Sequence, residues 1–144
     1  MILYLGSSAL VKRYVREAGS DDVEQIIAQA GTVGTSMVSR AEVTAALARA
    51  ARLGWVSRFE AEAAMHAFRT DWPHLARIQL SEPLLARADA LAWDYGLRGY
   101  DAVHLASAVF WRETLREPVT LATFDRELWH AAGAAGLEAW PPGM

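Results

Sequence analysis

The chain contains no cysteine among its 144 residues. This absence excludes scaffolds built on disulfide bonds, zinc sites built on thiolates and enzymes with a cysteine nucleophile. It is also typical of proteins in a reducing compartment, so we expect the chain in the cytoplasm. An excess of positive charge is missing as well, because 14 lysines and arginines stand against 17 aspartates and glutamates. A basic tail that binds nucleic acid by charge alone is therefore excluded, and any nucleic-acid contact must be local.

Long hydrophobic runs are also missing. Charged residues interrupt every apolar stretch well before the roughly 18 residues that a membrane-spanning helix needs. Residues 1–5 run straight into polar ones without a basic segment or a cleavage site, so neither a membrane association nor export is expected. With 53% hydrophobic and 22% charged residues, the composition is that of a globular protein. The length predicts a single domain, residues 1–144, since a domain takes on the order of 150 residues.

Segments typical of strands and of helices alternate along the chain. Short apolar runs predict strands at residues 2–5, 33–37, 77–80, 119–122 and 137–140. Helical spacing and capping residues predict helices at 9–17, 20–30, 39 to near 54, 57 to just before 73, 84–95, 102–111 and 125–132. This alternation implies right-handed crossovers and a mostly parallel sheet covered on both faces. The predicted fold is an α/β three-layer sandwich, in which ligands bind beyond the carboxyl ends of the strands.

Three carboxylates lie where a strand or turn passes into a helix: Glu42, Asp101 and Asp125. Each has a simple structural explanation. Ser39 and Glu42 fit a capping box, and Asp101 and Asp125 can cap helices whose first turns favour negative charge. If all three instead face one crevice, their repulsion favours a bound cation, and oxygen ligands favour Mg²⁺ or Mn²⁺ over Zn²⁺. The spacing alone leaves both interpretations open.

Four motifs, in order along the chain, resemble those of PIN-domain ribonucleases, and most of all the VapC-type toxins of bacterial toxin–antitoxin pairs. They are residues 3–12 (LYLGSSALVK), 39–43 (SRAEV), 99–106 (GYDAVHLA) and 122–125 (ATFD). The resemblance covers essentially the whole chain and implies an endoribonuclease whose carboxylate cluster holds Mg²⁺ or Mn²⁺. By position, Glu42, Asp101 and Asp125 match three of the family's four acids. Ser7 and Thr123 match polar neighbours that orient ligands or water.

The chain departs from the family pattern at Gly6, where the family places its first aspartate. Glycine offers no ligand atom, so this position implies a weaker divalent site and weakened or lost cleavage. From the residues alone, residues 6–8 form a tight turn whose backbone N–H groups are a weak signal for anion binding at a helix N-terminus. Three explanations of Gly6 are open: an inactivating change that spares an expression host, a natural protein that only binds, or replacement of the acid by Asp94, Asp125 or a water.

Basic and apolar residues near the predicted crevice supply further candidates. The candidates for binding RNA phosphates, with an ion-paired surface as the alternative, are Lys12, Arg13, Arg16, Arg98 and Arg126. The resemblance also implies a homodimer and a cognate antitoxin whose segment occupies a groove. The candidates for that groove, with core packing as the alternative, are Leu10, Val11, Tyr14, Leu47 and Leu53.

Two functions compete at this stage. The first is a metal-dependent endoribonuclease toxin that Gly6 has weakened, and the second is a catalytically silent protein of the same fold that binds antitoxin or RNA without cleavage. A small-molecule phosphatase is a distant third. A serine hydrolase triad with His104 is disfavoured, because the sequence has no G-x-S-x-G turn. His104 follows Asp101 by three residues in an apolar helix, so we expect it to pack beside the site rather than bind metal.

Overall fold

The computed structural model describes residues 1–144 as five strands and seven α-helices. In chain order they are β1 (Ile2–Leu5), α1 (Ser7–Leu10), α2 (Ser20–Gln29), β2 (Thr32–Ser36), α3 (Ser39–Arg52), α4 (Arg58–Asp71), β3 (Ala76–Ile78), α5 (Glu82–Tyr95), α6 (Gly99–Leu115), β4 (Val119–Ala122), α7 (Arg126–Ala134) and β5 (Glu138–Trp140). Short 3-10 turns at Val11–Arg13 and Trp72–His74 follow α1 and α4. None of the helices combines the length and the apolar character that crossing a membrane requires.

The five strands form one sheet in the order β3-β2-β1-β4-β5, and all four pairings are parallel. The predicted α/β sandwich is therefore confirmed. The chain first builds the sheet outward from β1 through β2 to β3, and then returns to the other side of β1 for β4 and β5. Beyond the carboxyl ends of β1 and β4 the connections leave in opposite directions, which opens a crevice there.

Two hydrophobic cores cover the two faces of the sheet. Alternation along β1 sends Tyr4 into one core and Leu3 and Leu5 into the other, and all three side chains are fully buried. The first core packs α5, α6 and α7 on the sheet, and the second packs α1 to α4. At Gly34 in β2 a Cβ atom would lie 2.7 Å from the ring of Trp111 and 2.9 Å from the carbonyl oxygen of Ala76. Glycine thus lets α6 approach the sheet.

The first predicted helix, residues 9–17, is wrong. The helix α1 ends at Leu10 and becomes a 3-10 turn, and the chain is irregular before α2. Ser20 explains part of the difference, because its hydroxyl donates to the carbonyl of Val15 and accepts from the N–H of Glu17. These bonds satisfy backbone groups that a continued helix would use, as serine side chains commonly do. The other predicted helices and strands are present, with ends shifted by a few residues.

Candidate active site

The candidate site lies beyond the carboxyl ends of the two central strands. Gly6 follows β1 directly, and its N–H donates to the carbonyl oxygen of Ala122 at the end of β4, 2.9 Å away. This backbone bond brings the segments after the two strands together, although they are more than a hundred residues apart in the sequence. Ser7 and Thr123 are the next residues on either side.

Glu42 is held by two side chains from other segments. The Ser7 hydroxyl donates to Glu42 Oε1 at 2.6 Å, and His104 Nε2 lies 2.6 Å from the same oxygen. Burial alone would raise the pKa of Glu42, but the hydrogen bonds from His104 and Ser7 outweigh it and lower the pKa below its ordinary value. Glu42 is therefore an ionised carboxylate at neutral pH.

The capping box predicted for Ser39 and Glu42 is wrong. Ser39 is the first residue of α3, and its hydroxyl lies 2.6 Å from that of Thr35 in a buried contact. The Glu42 side chain points away to Ser7 and His104 instead of back to the start of its own helix. The capping box of this chain is formed by Ser57 and Glu60 at α4. Glu42 therefore does not cap α3, although its spacing from Ser39 is that of a capping box.

His104 connects Glu42 to the core of the sheet. Its side chain is buried in α6, and Nδ1 lies 2.7 Å from the hydroxyl of Tyr4 in β1. Because the Glu42 carboxylate only accepts, the proton between the two lies on Nε2. In the neutral tautomer with this proton, Nδ1 accepts from the Tyr4 hydroxyl. Burial raises the pKa of Tyr4 far above its ordinary value, so the hydroxyl keeps its proton. The expectation that His104 packs beside the site agrees with this arrangement, whereas nothing in the sequence pointed to Tyr4.

The carboxylates of Asp101 and Asp125 both form ion pairs with the guanidinium of Arg98. Arg98 Nε donates to Asp101 Oδ2 at 2.9 Å, and Arg98 Nη2 donates to Asp125 Oδ2 at 2.5 Å. Burial raises the pKa of Asp101 and the Asp125 charge adds to the rise, while Arg98 opposes it. Asp101 lies in the first turn of α6 without capping it, because the residue before the helix is Arg98.

Asp125 keeps the capping role that its position suggested. Its Oδ1 atom accepts from the N–H of Leu128 in the first turn of α7, which leaves Oδ2 for Arg98. Thr123 fixes the turn in front of it, since its hydroxyl accepts from the N–H of Asp125 at 3.1 Å. The hydroxyl of Ser8 accepts from the N–H of Phe124 and lies 3.2 Å from that of Thr123. The cap and these hydroxyls hold the carboxylate in place at the mouth of the crevice.

The backbone at Gly6 does not require glycine. Its φ of −68° and ψ of 161° are ordinary for any L residue, and it is the N-cap of α1. A Cβ atom there would lie 3.3 Å from the carbonyl oxygen of Ala122 and 3.6 Å from the Thr123 hydroxyl. A side chain on residue 6 would thus start beside Thr123. Asp94, considered as a substitute acid, is exposed near the end of α5.

The three carboxylates suit a hard divalent cation chemically, because all their ligand atoms are oxygens. Two of them already converge on the single positive charge of Arg98. Glu42 is held in a separate pair with His104, and no group of three or more Asp, Glu, His or Cys side chains is placed to hold a metal ion. The structure therefore shows a site whose acids are paired with the protein's own basic groups.

Four of the five residues predicted to bind RNA phosphates are ion-paired. Lys12 pairs with Glu17 and lies over the ring of Phe124. The arginine pairs are Arg13 with Asp71, Arg16 with Asp21 and Glu24, and Arg98 with Asp101 and Asp125. Arg126 is exposed and forms no ion pair. Of these residues, Arg126 alone offers phosphate an uncommitted guanidinium.

The residues predicted to line a partner groove differ in exposure. Leu10 is buried in the second core, so for it the structure shows the alternative, core packing. Leu47 is also buried in that core, but it contributes to the wall of a groove between α3 and α4. Val11 and Tyr14 are half-buried, and the Tyr14 hydroxyl donates to Asp71. Leu53, at the end of α3, is 51% exposed. It directly follows α3, which together with α4 forms this groove of about 380 Å³. The apolar surface of this groove comes from Leu47, Ala48, Ala51, Ala61 and Met65.

Comparisons with known proteins cover nearly the whole chain. Residues 3–134 match the family described as PIN domain. Ribonuclease VapC45 from Mycobacterium tuberculosis is 33% identical over 141 residues, which make up 97% of this chain and 95% of the relative. A toxin–antitoxin complex from Klebsiella pneumoniae has a TM-score of 0.68 at 17% identity, covering 99% of this chain and 98% of the matched chain. VapBC2 from Rickettsia felis, bound to a promoter DNA fragment, has a TM-score of 0.66 at 16% identity, covering 98% and 100%.

Proposed function

The chain belongs to the PIN-domain family, with a VapC ribonuclease among its relatives, and we propose that it is an endoribonuclease acting as the toxin of a toxin–antitoxin pair. The observation that carries this proposal is the 33% identity to Ribonuclease VapC45 over 97% of the chain. The placement of Glu42, Asp101 and Asp125 near the carboxyl ends of parallel strands supports it, because ligands of such sheets bind at that edge.

The proposal includes a divalent cation, Mg²⁺ or Mn²⁺, held by Asp101 and Asp125 with Glu42 nearby. Such a cation would supply water activation and offset negative charge at the phosphate. The chain's own residues prepare the carboxylates for it: His104 and Ser7 keep Glu42 ionised, and Thr123 and Leu128 fix the backbone and one oxygen of Asp125. RNA phosphates would contact the exposed Arg126 first among the basic candidates.

Gly6 lowers the activity that we assign to the chain, since one acid of the family set is missing. The same observation favours a second candidate function, a protein that binds antitoxin or RNA without cutting. The pairing of Asp101 and Asp125 with Arg98 also favours it, because no three-ligand group is formed. A cleavage experiment separates the two.

Cleavage of a panel of structured RNAs by this chain is expected to require added Mg²⁺ or Mn²⁺ and to stop with a chelator. The Asp101→Asn variant is expected to reduce it by at least about tenfold, because one ligand charge is lost. Asp89→Asn is the matched control, since Asp89 is an exposed acid of α5. Cleavage that resists both the chelator and Asp101→Asn would contradict the assignment. Binding of RNA or antitoxin by the folded chain, with no cleavage even in a Gly6→Asp variant, would favour the silent protein.

The partners in this proposal are RNA, a cognate antitoxin and a second copy of the chain. The structural neighbours described above include toxin–antitoxin complexes, which supports an antitoxin partner. The apolar groove between α3 and α4, together with the exposed Leu53 directly after α3, is the surface that we assign to the antitoxin. Val11 and Tyr14 stay candidates because they are half-buried.

Replacing Leu53 with glutamate is expected to weaken binding of a co-expressed antitoxin by about tenfold. This is the loss of affinity expected when a residue that contributes strongly to an interface is removed. The reason is that a charge would be placed against an apolar segment. Leu85→Glu is the control, because Leu85 is also partly exposed but lies on α5, across the sheet. Calorimetric affinities of the two variants provide the measurement. Equal affinities of both variants and the unchanged chain would remove Leu53 from the interface.

A further inference from the structure

Arg98 connects two acids that belong to different parts of the chain. It precedes α6, and its guanidinium contacts Asp101 in the first turn of that helix and Asp125 in front of α7. The two contacts use different nitrogens, Nε and Nη2, so one planar group serves both carboxylates. The Arg98 side chain makes no capping bond to α6, so the guanidinium does not hold the start of that helix.

The arginine is the exposed member of this cluster. Its side chain is 70% exposed, whereas the side chains of Asp101 and Asp125 are 14% and 26% exposed. Ion pairs of such an exposed side chain are weak, because water and salt screen them. Asp125 is also anchored by its bond to Leu128, whereas the guanidinium of Arg98 bonds only to the two acids and caps no helix.

The need for a counter-charge remains when the arginine leaves. Two partly buried carboxylates that converge on one point repel each other unless a positive charge lies between them. A divalent cation has the charge and the preference for oxygen ligands that this position requires. Arg98 occupies the Oδ2 atoms of both acids, and Asp125 Oδ1 already accepts from Leu128. A cation held by both carboxylates would therefore compete with Arg98.

We propose that Arg98 is an internal counter-ion of the acidic site that competes with the divalent cation for Asp101 and Asp125. This inference rests on the proposed function, because it takes the two acids as cation ligands. In the resting chain the guanidinium covers both carboxylates. A divalent cation binds only to the fraction of molecules in which Arg98 has moved into solvent, so its apparent affinity is reduced by that fraction.

Calorimetric titration of the chain with Mn²⁺ alone tests the competition between Arg98 and the cation without any measurement of activity. The Arg98→Gln variant is expected to bind Mn²⁺ about tenfold more tightly than the unchanged chain. This factor corresponds to an unchanged chain in which Arg98 has left the two acids in about one molecule in ten. Arg126→Gln removes the same charge next to Asp125 without touching an acid, and we expect it to change the affinity by no more than about twofold. Both arginines are exposed, and thermal unfolding followed by circular dichroism checks that the variants fold.

Two further variants separate the possible failures. Adding Asp101→Asn to Arg98→Gln is expected to abolish the gain, which places the Mn²⁺ at this site. The same titrations are repeated with variants that also carry Gly6→Asp. This substitution restores the fourth acid and is expected to raise the Mn²⁺ affinity into a measurable range. Equal Mn²⁺ affinities for Arg98→Gln and Arg126→Gln would overturn the competition while leaving the proposed cation site intact. Absence of Mn²⁺ binding in every variant, including the Gly6→Asp background, would overturn both.

Discussion

Replacing Gly6 with aspartate is expected to raise RNA cleavage by this chain by about 100-fold or more. Loss of a residue that only hydrogen-bonds to a metal ligand already lowers metal affinity or activity by about 10- to 100-fold, and a ligand itself matters more. The new carboxylate would be the fourth acid at the carboxyl ends of β1 and β4. The gained activity is expected to depend on Mg²⁺ or Mn²⁺ and to disappear with a chelator.

The structure accepts this substitution with little rearrangement. The backbone at residue 6 is already in a conformation common to L residues, and aspartate is a preferred residue at the N-cap position that Gly6 occupies. The tightest contact of the added Cβ would be the carbonyl oxygen of Ala122 at 3.3 Å, which asks for a shift of a few tenths of an ångström. The fit of the aspartate thus depends on this small shift of the Ala122 carbonyl, and urea unfolding of Gly6→Asp beside the unchanged chain measures its effect on stability.

Gly6→Asn is the matched control for this experiment. Asparagine has the size of aspartate and caps a helix equally well, but it carries no charge. Initial rates on one RNA, with Mg²⁺, with Mn²⁺ and with a chelator, should rise for the aspartate variant alone. Equal rates for the two variants would mean that the missing charge is not what limits this chain.

Replacing His104 with alanine is expected to lower the free energy of unfolding by about 3 kcal/mol, the combined effect of a cavity in the core and of lost buried hydrogen bonds. The imidazole fills space inside the first core and bonds to the fully buried Tyr4 hydroxyl. Its loss also leaves the Glu42 carboxylate with Ser7 as its remaining partner. Urea unfolding followed by circular dichroism gives the measurement.

A double-mutant cycle with Tyr4→Phe isolates the hydrogen bond from the cavity. Phenylalanine keeps the ring of residue 4 and removes only the hydroxyl, so Tyr4→Phe is expected to cost about 1 kcal/mol by itself. Because the two side chains contact each other, the effects of Tyr4→Phe and His104→Ala should not add. Full additivity, or a loss under about 1 kcal/mol for His104→Ala, would show that this hydrogen-bond chain does not stabilise the protein.

The sequence predicted the sheet because strands and their ends are local features, and the candidate site residues were chosen from the same strand ends. An apolar run followed by Gly6-Ser7, or by Thr123 and Asp125, marks a strand end without knowledge of the rest of the chain. The resemblance then placed Glu42 and Asp101 with them. The prediction of a helix at residues 9–17 was wrong for a reason that is also local. The hydroxyl of Ser20 bonds to the backbone of the preceding loop, and this leaves only a weak signal in the sequence.

Other features depended on contacts between distant segments. The spacing of Ser39 and Glu42 fits a capping box, yet Glu42 binds Ser7 and His104, which lie 35 and 62 residues away. The bond between Tyr4 and His104 joins a strand to a helix 100 residues later. Arg98 was predicted as a phosphate ligand from its position, but its pairing with Asp125 across 27 residues follows only from the folded arrangement.

The central position of β1 also has a consequence for how the molecule is made. This strand is synthesised well before its second neighbour, β4, which pairs Val119 with Ile2 and Ala122 with Leu5. Pairings between such distant segments form slowly, and domains fold as units once their parts have been synthesised. A nascent or prematurely terminated chain that stops before residue 119 has neither β4 nor Asp125 and leaves one edge of β1 open. The acidic site can therefore be completed only after the residues of β4 and Asp125 have been translated.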